Sequence, residues 1–342
     1  MLGFLYACGR PLLFAMDPER AHELTLSLAA HTGWLARLCA PRSPEVPAQL
    51  GDLALRSPVG LAAGLDKNAL ALPVWEALGF GFVEIGTVTP RPQVGNPRPR
   101  VHRIKAAQAI VNAMGFPNQG AEAIGARLER LEASGRWPQI PVGINLGKNK
   151  DTPDADAASD YAKVAKRLAK LASYLVINVS SPNTPGLRAL QGKDALARIL
   201  EATQAEAQGR PVWIKLSPDL GDEALGEAVE VARGGGAAGL IATNTTITRP
   251  VPCPDPRGGE LKGGFSGQPL YPLSKERITA LLALAGDLPV VGVGGVDRPE
   301  RAGELLEAGC TAVQLYSGLI YQGPTLPSRI NRGLAKRALA KG

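Results

Sequence analysis

Two lysines, five asparagines and a pair of serines hold most of the polar chemistry of this 342-residue chain, and each closes or follows a short apolar run. Lys67 ends "VGLAAGLDK", Lys215 lies in "PVWIKLSPD", and Ser180 and Ser181 open "NVSSPNTPG" directly after "YLVI". A lysine at a strand end offers positive charge to an anion, or an amine for a Schiff base. Glu84, inside a neighbouring apolar run, suits a buried ion-pair partner for one of the two lysines. Asparagine both donates and accepts. A cluster of Asn112, Asn145, Asn178, Asn183 and Asn244 therefore matches the alternating N–H and C=O edge of an imide-like ring. The serines are ordinary turn residues, and on its own the stretch reads as a loop. Gly294, Gly295, Tyr316, Ser317 and Gly318, in "GVGG" and "YSG", fit either a phosphate cradle of backbone N–H groups or tight turns. Histidine chemistry is confined to His22, His31 and His102. Cys8, Cys39, Cys253 and Cys310 form no C-x-x-C pair, so no metal site or iron–sulfur cluster is expected, and a reducing compartment fits.

The elements that must position these groups recur along the chain. Short β-branched or apolar runs begin at Val59, Gly81, Pro141, Tyr174, Pro211, Ala238, Pro289 and Thr311, with helical stretches such as "ASDYAKVAKRLAKLA" between most of them. Eight such units predict a (β/α)8 TIM barrel, an α/β fold with its chemistry at the C-terminal strand ends. A doubly wound sheet would call for G-x-G-x-x-G after an early strand, and none occurs there. Two crossovers, 87–141 and 243–288, are long enough to be lids or binding loops. Residues 1–50 read as a helical extension and 51–342 as the barrel. Asp17 as N-cap, Pro18 at N1 and Glu19 in the first turn start a helix whose apolar face would be Ala21, Leu24 and Leu28. With the apolar patch of Leu2, Phe4, Leu5, Tyr6, Leu12, Leu13 and Phe14, this extension would either cap the barrel bottom or rest on a membrane and admit an apolar molecule.

The net charge of +7 is spread without a run of like charges, apart from the closing "SRINRGLAKRALAKG", so no nucleic-acid partner is expected. The opening residues lack a basic n-region, and no run of about 18 apolar residues occurs, so neither a secretory signal nor a membrane span is expected.

Taken in order, "AAGLDKN", "EIGTVTPRPQ", "GNPRPR", "NAMGF", "GINLGKNKDTP", "NVSSPNTPGLR", "IKLSPD", "IATNTT", "GGFSGQPL", "GVGGV" and "QLYSG" resemble dihydroorotate dehydrogenase of class 2, the membrane-associated, quinone-linked form with flavin mononucleotide (FMN). The resemblance covers all eight strand ends and the extension. It implies one FMN per chain, its phosphate on Gly267, Gly294, Gly295, Tyr316 and Ser317. Ala63, Gly64, Leu65, Asp66, Lys67 and Thr87 would border the flavin ring, with Asn145, Asn178 and Thr243 hydrogen-bonded to it and Lys215 near N1–C2=O. Lys67 would also pair with the dihydroorotate carboxylate. Asn112, Ala113, Met114, Gly115 and Phe116, with Asn178, Asn183, Asn244 and Thr245, would surround the substrate ring. Ser181 is the implied base for the C5 proton while hydride leaves C6, yielding orotate in pyrimidine biosynthesis. Thr184, with the backbone near Phe116 and a water, is the implied proton relay. His22 and Arg103 match positions near a quinone head group, and the helices would form the quinone's entry. The implied location is peripheral, on the cytoplasmic side of the inner membrane, with no iron–sulfur partner subunit. Two positions depart from the pattern: Ala113 replaces an arginine, and Pro117 an asparagine.

Three rival readings attach to the same barrel. A flavin barrel acting on RNA would use a cysteine acid and an added basic domain, and no cysteine sits at a strand end before Cys310. A phosphosugar aldolase would use Lys215 as its amine. A flavin-binding barrel without turnover would not need Ser181.

Overall fold

In the computed structural model, residues 1–40, 42–249 and 257–340 are described; the stretch 250–256, with Cys253, and the last two residues lie outside them. The chain opens with helices α1 (Leu2–Ala15) and α2 (Pro18–Cys39) and a hairpin of β1 (Ala48–Leu50) and β2 (Leu53–Leu55). Next come β3 (Val59–Leu61) and β4 (Phe82–Val88), then an excursion carrying β5 (Val101–Ile104) and β6 (Ala109–Asn112). The frame continues with β7 (Val142–Leu146), β8 (Tyr174–Asn178), β9 (Val212–Leu216) and β10 (Gly239–Ala242). A second excursion adds β11 (Gly264–Gly267) before β12 (Val290–Val293) and β13 (Ala312–Leu315). The eight expected strands close into one parallel barrel in the order β10-β12-β13-β3-β4-β7-β8-β9.

Their sequences explain the closure. β4, β7, β8 and β9 are buried at every residue, as strands covered on both faces must be. Inside, glycine faces an aromatic ring across the ladder three times: Gly60 beside Phe82, Gly143 beside Tyr174 and Gly239 beside Trp213. A Cβ on these glycines would stand 2.1 to 2.3 Å from the ring atoms, so each missing side chain is the space its neighbour fills. Leu50 and Leu55 of the hairpin join that aromatic layer and close the N-terminal end.

The hairpin thus takes the capping role that the sequence left open for the helices. Helices α1 and α2 lie beside the C-terminal rim instead, lining a cavity with Leu65, Asn112 and Tyr316. Asp17 caps α2 as expected, accepting from the backbone N–H of Glu19 at 3.1 Å and Arg20 at 3.0 Å. The inward stripe of α2 differs from the expectation. Ala21 and Leu26 are buried with Glu19, whereas Leu24 and Leu28 are 41% and 54% exposed. Leu24 and Leu28 are four residues apart and Glu19 and Leu26 seven, so either pair could mark one face, and the buried partner of Glu19, Arg100, selects the inward one.

The two excursions are not independent lids. They meet in an antiparallel sheet, β11-β6-β5, in which Asn112 pairs with Gly264 and Val101. This places Asn112 over the open end of the barrel.

Candidate functional site

At the C-terminal strand ends a cavity of about 130 Å³ is lined from every side by residues expected from the sequence. Ala63, Gly64, Lys67, Thr87, Asn112, Met114, Gly115 and Phe116 form one wall, and Asn178, Ser181, Asn183, Lys215, Thr243, Asn244 and Thr245 another. Gly267, Gly294, Gly295, Tyr316 and Ser317 close the third. Gly294 (φ +132°) and Gly295 (φ +70°) occupy conformations that side chains rarely adopt, and a Cβ there would fall 2.0 Å from Ser274 Oγ and 2.7 Å from Tyr271. This wall therefore offers bare backbone to a ligand, which suits a phosphate. Ser266, a residue the sequence did not single out, adds a hydroxyl 2.9 Å from that of Ser317.

A buried polar network lies beneath. Glu84 accepts from Asn145 Nδ2 at 2.7 Å and Lys215 Nζ at 3.5 Å on one oxygen, and from Gln314 Nε2 at 2.5 Å on the other. Lys215 is thus the lysine that Glu84 pairs with. Asn145 does not line the cavity; its Oδ1 receives Thr87 Oγ1 at 2.5 Å and Asn178 Nδ2 at 3.0 Å, fixing both amides. Every polar group in this layer is oriented by another, the condition for a preorganised ring-binding floor.

The two serines of "NVSSPNTPG" part company. Ser180 Oγ donates to Asn178 Oδ1 at 3.0 Å and accepts from Asn244 Nδ2 at 2.9 Å, so its capacity is used inside the scaffold. Ser181 lines the cavity and, among the described residues, accepts only the backbone N–H of Asn183, at 3.3 Å. Among the described residues the buried hydroxyls of Thr184 and Thr245 have no hydrogen-bond partner, an arrangement that costs roughly 1–3 kcal/mol each unless a ligand or water completes it. Arg188 holds the loop from behind: it donates to Ser180 O (3.1 Å), Asp219 Oδ2 (2.6 Å) and Thr245 O (2.9 Å), tying together the loops after β8, β9 and β10. It was legible only as part of a motif.

Lys67 points its ammonium at Gly64 O, 2.6 Å away. Burial lowers its pKa from 10.5 to about 8, against the upward pull of Glu19. That carboxylate is itself clasped by Arg100 through Nε and Nη2 at 2.7 to 3.2 Å. Arg100 Nη1 holds the carbonyls of Val94 and Asn96, and Asn96 Nδ2 holds those of Ala113 and Asn183. A chain of polar contacts so joins α2 to Ala113 and Asn183 on the loops after β6 and β8. Asn183 Nδ2 meets Asn112 Oδ1 at 2.9 Å within it.

The second cavity, about 580 Å³ and mostly apolar, lies between α1, α2 and the barrel and shares Asn112, Met114 and Tyr316 with the first. Both His22 and Arg103 line it. Burial, reinforced by the Lys67 cation, lowers the His22 pKa to about 3, so its imidazole is neutral at physiological pH. Arg103 donates to Leu13 O at 2.9 Å and Met16 O at 2.5 Å while its guanidinium stacks 4.7 Å from the Phe14 ring.

Besides Asn145 and Thr184, three expected residues do not line the first cavity. Leu65 lines the apolar one. Asp66 is fully buried and accepts from the backbone of Leu70 and Ala71 and from Trp75 Nε1, which makes it a local scaffold residue rather than a ring contact. Ala113 contributes its backbone N–H to Arg100 O, at 2.8 Å. Among the described residues no cluster of His, Cys, Asp and Glu could hold a metal, and no helix is long and apolar enough to cross a membrane.

Comparison with known proteins follows the same outline. Residues 47–338 match the family model described as dihydroorotate dehydrogenase. The chain is 49% identical over 340 residues to a dihydroorotate dehydrogenase (quinone) of Anaeromyxobacter dehalogenans, covering 97% of this chain and 92% of that one. It is 44% identical to the protein of the same name from Chloroflexus aurantiacus, covering 95% and 94%. A crystal structure of the Eimeria tenella dihydroorotate dehydrogenase in complex with ferulenol superposes with a TM-score of 0.89 at 34% identity, covering 97% of this chain and 96% of that one.

Proposed function

The chain belongs to the dihydroorotate dehydrogenase family, and on that premise we propose that it binds one FMN, uses Ser181 as its base and passes electrons to a membrane quinone. As a member it is a flavin-dependent oxidoreductase that converts dihydroorotate to orotate in pyrimidine biosynthesis.

The residues fit the nucleotide. Gly267, Gly294, Gly295, Tyr316 and Ser317 suit its phosphate, and the fixed amides of Asn178 and Asn145 with Thr87, Thr243 and Lys215 suit the ring. Bound there, the flavin supplies the acceptor for the hydride that leaves C6 of the substrate. Lys67 holds the substrate carboxylate, and Asn112, Asn183, Asn244 and Thr245 address the ring amides. Phe116, 9% exposed, and Met114 help exclude water. Ser181 takes the C5 proton. Among the described residues no imidazole or carboxylate hydrogen-bonds to it, so the proton must leave by a relay, for which Thr184, three residues along the loop with an unengaged hydroxyl, is the candidate.

The observation that carries the assignment of the base is the opposite fate of the two serines, with Ser181 alone facing the cavity. Replacing it by alanine should leave flavin binding and colour unchanged and slow bleaching by dihydroorotate by about 10²- to 10⁴-fold, the usual worth of a positioned base. An undiminished bleaching rate would overturn it.

For the oxidant, the apolar cavity supports a quinone site with the neutral His22 and Arg103 at its polar edge. Phe4, Leu5, Leu12, Leu24 and Leu28 are exposed on the same two helices, which supports a peripheral seat on the cytoplasmic face of the inner membrane. Reoxidation by a quinone analogue, and not by NAD or fumarate, tests the acceptor.

A further inference from the structure

Gln314 entered above only as a donor to Glu84, yet it stands on the wall of the catalytic cavity with 1% of its surface exposed. Its Nε2 donates to Glu84 Oε2 at 2.5 Å, which settles which end of the amide is nitrogen. Glu84 is held in turn, because its other oxygen is engaged by Asn145 and Lys215. The amide therefore cannot flip, and the polar atom that Gln314 can offer a ligand is Oε1. That oxygen is buried and, among the described residues, has no hydrogen-bond partner. Buried amide oxygens are nearly always satisfied, so this one calls for a donor from a ligand or a water, and it stands on the wall of the cavity that a ligand would fill.

Position in the barrel says which donor. Gln314 lies on β13, immediately below Tyr316 and Ser317 of the phosphate wall, whereas the amide cluster and Lys215 lie on β7, β8 and β9. A ligand with its phosphate on that wall and its ring over the amides must carry its connecting chain past β13. In FMN that chain is a ribityl polyol, whose hydroxyls are donors. We propose that Gln314 is a cofactor-binding residue whose Oε1 accepts a hydrogen bond from a ribityl hydroxyl, with Glu84 as the positioning residue that sets the amide. This rests on the FMN reading given above.

The test is a cycle between one side chain and one ligand group. Dissociation constants of the full-length apoprotein are measured by quenching of flavin fluorescence, for FMN and for a flavin phosphate whose ribityl is replaced by a plain alkyl chain. Wild type should prefer FMN. Gln314→Met should bind FMN about tenfold more weakly, about 1.4 kcal/mol, and its preference for FMN over the analogue should shrink by the same factor. Glu84→Gln, which frees the amide to turn, should reduce that preference too, a ratio that a purely structural role would not move. Equal weakening toward both ligands would assign the contact to the ring or to packing and overturn the proposal, as would unchanged affinity for FMN. Binding of neither ligand by wild type is a separate outcome, which overturns the FMN reading and this contact with it. Should the variants fail to fold, a crystal structure of the flavin-loaded wild type decides: Oε1 lies about 2.8 Å from a ribityl hydroxyl, or any other donor there refutes the assignment.

Discussion

Raising the pH from 7 to 9 should release the substrate's carboxylate from Lys67. With a pKa of about 8, set first by burial, the ammonium is about nine-tenths charged at pH 7 and about one-tenth charged at pH 9. The affinity of the oxidised enzyme for orotate, an anion that cannot turn over there, should fall by about tenfold, or about 1.4 kcal/mol. A lysine at the ordinary 10.5 would keep nearly all its charge over that range and give a flat profile. A bound carboxylate favours the ammonium, so the complex titrates at higher pH than the free enzyme, and the loss of affinity runs between those two values. The assay is the perturbation of the flavin spectrum on titration with orotate, in wild type and in Lys67→Met, whose binding should be weak and independent of pH. The same group has an opposite signature in stability. Its folded pKa lies below its unfolded one, so between about pH 8 and 10.5 the unfolded chain binds more protons, and this residue's penalty on folding is relieved as pH rises. A wild-type orotate affinity that stays constant from pH 7 to 9, or a Lys67→Met profile with the wild-type slope, would refute the reasoning.

Arg100→Met leaves the Glu19 carboxylate, 5% exposed, without its bidentate partner; the cost should be about 3–5 kcal/mol in urea unfolding, seen as a lower midpoint, and an unchanged midpoint would show that Arg98 alone suffices. Leu24→Glu combined with Leu28→Glu alters an exposed stripe, so the thermal midpoint should hold while co-sedimentation with anionic vesicles drops roughly tenfold. Retained vesicle binding would place the membrane face elsewhere.

Legibility of the fold and site from sequence depended on whether a signal was local. The barrel strands announce themselves because a strand buried on both faces is a continuous apolar run, and the polar residue that ends it is by construction on the rim. The β5-β6-β11 sheet gives no such signal, since its pairing joins two excursions distant in sequence and appears only when both are folded. Arg188 is similar: "NVSSPNTPGLR" places it near the site, but its three carbonyl and carboxylate partners lie on three different loops.

Orientation is the finer difficulty, and three pairs of near neighbours show what resolves it. Leu65 and Asp66 sit between Gly64 and Lys67 in "AAGLDK", yet both turn away from the cavity, because Asp66 finds the free N–H groups of Leu70 and Ala71 within its own segment. Leu24 and Leu26 lie two residues apart on one helix and face opposite ways, decided by the ion pair of Glu19 with Arg100 rather than by hydrophobicity. Ser180 and Ser181 were separable because they follow an extended strand, where adjacent side chains must diverge. Only the partners decide which of the two is withdrawn: Asn178 and Asn244 occupy the Ser180 hydroxyl, and a group already engaged on both sides is a poor proton acceptor. Of the two adjacent hydroxyls, the one that the scaffold leaves less engaged is Ser181, which accepts a single backbone N–H and faces the cavity.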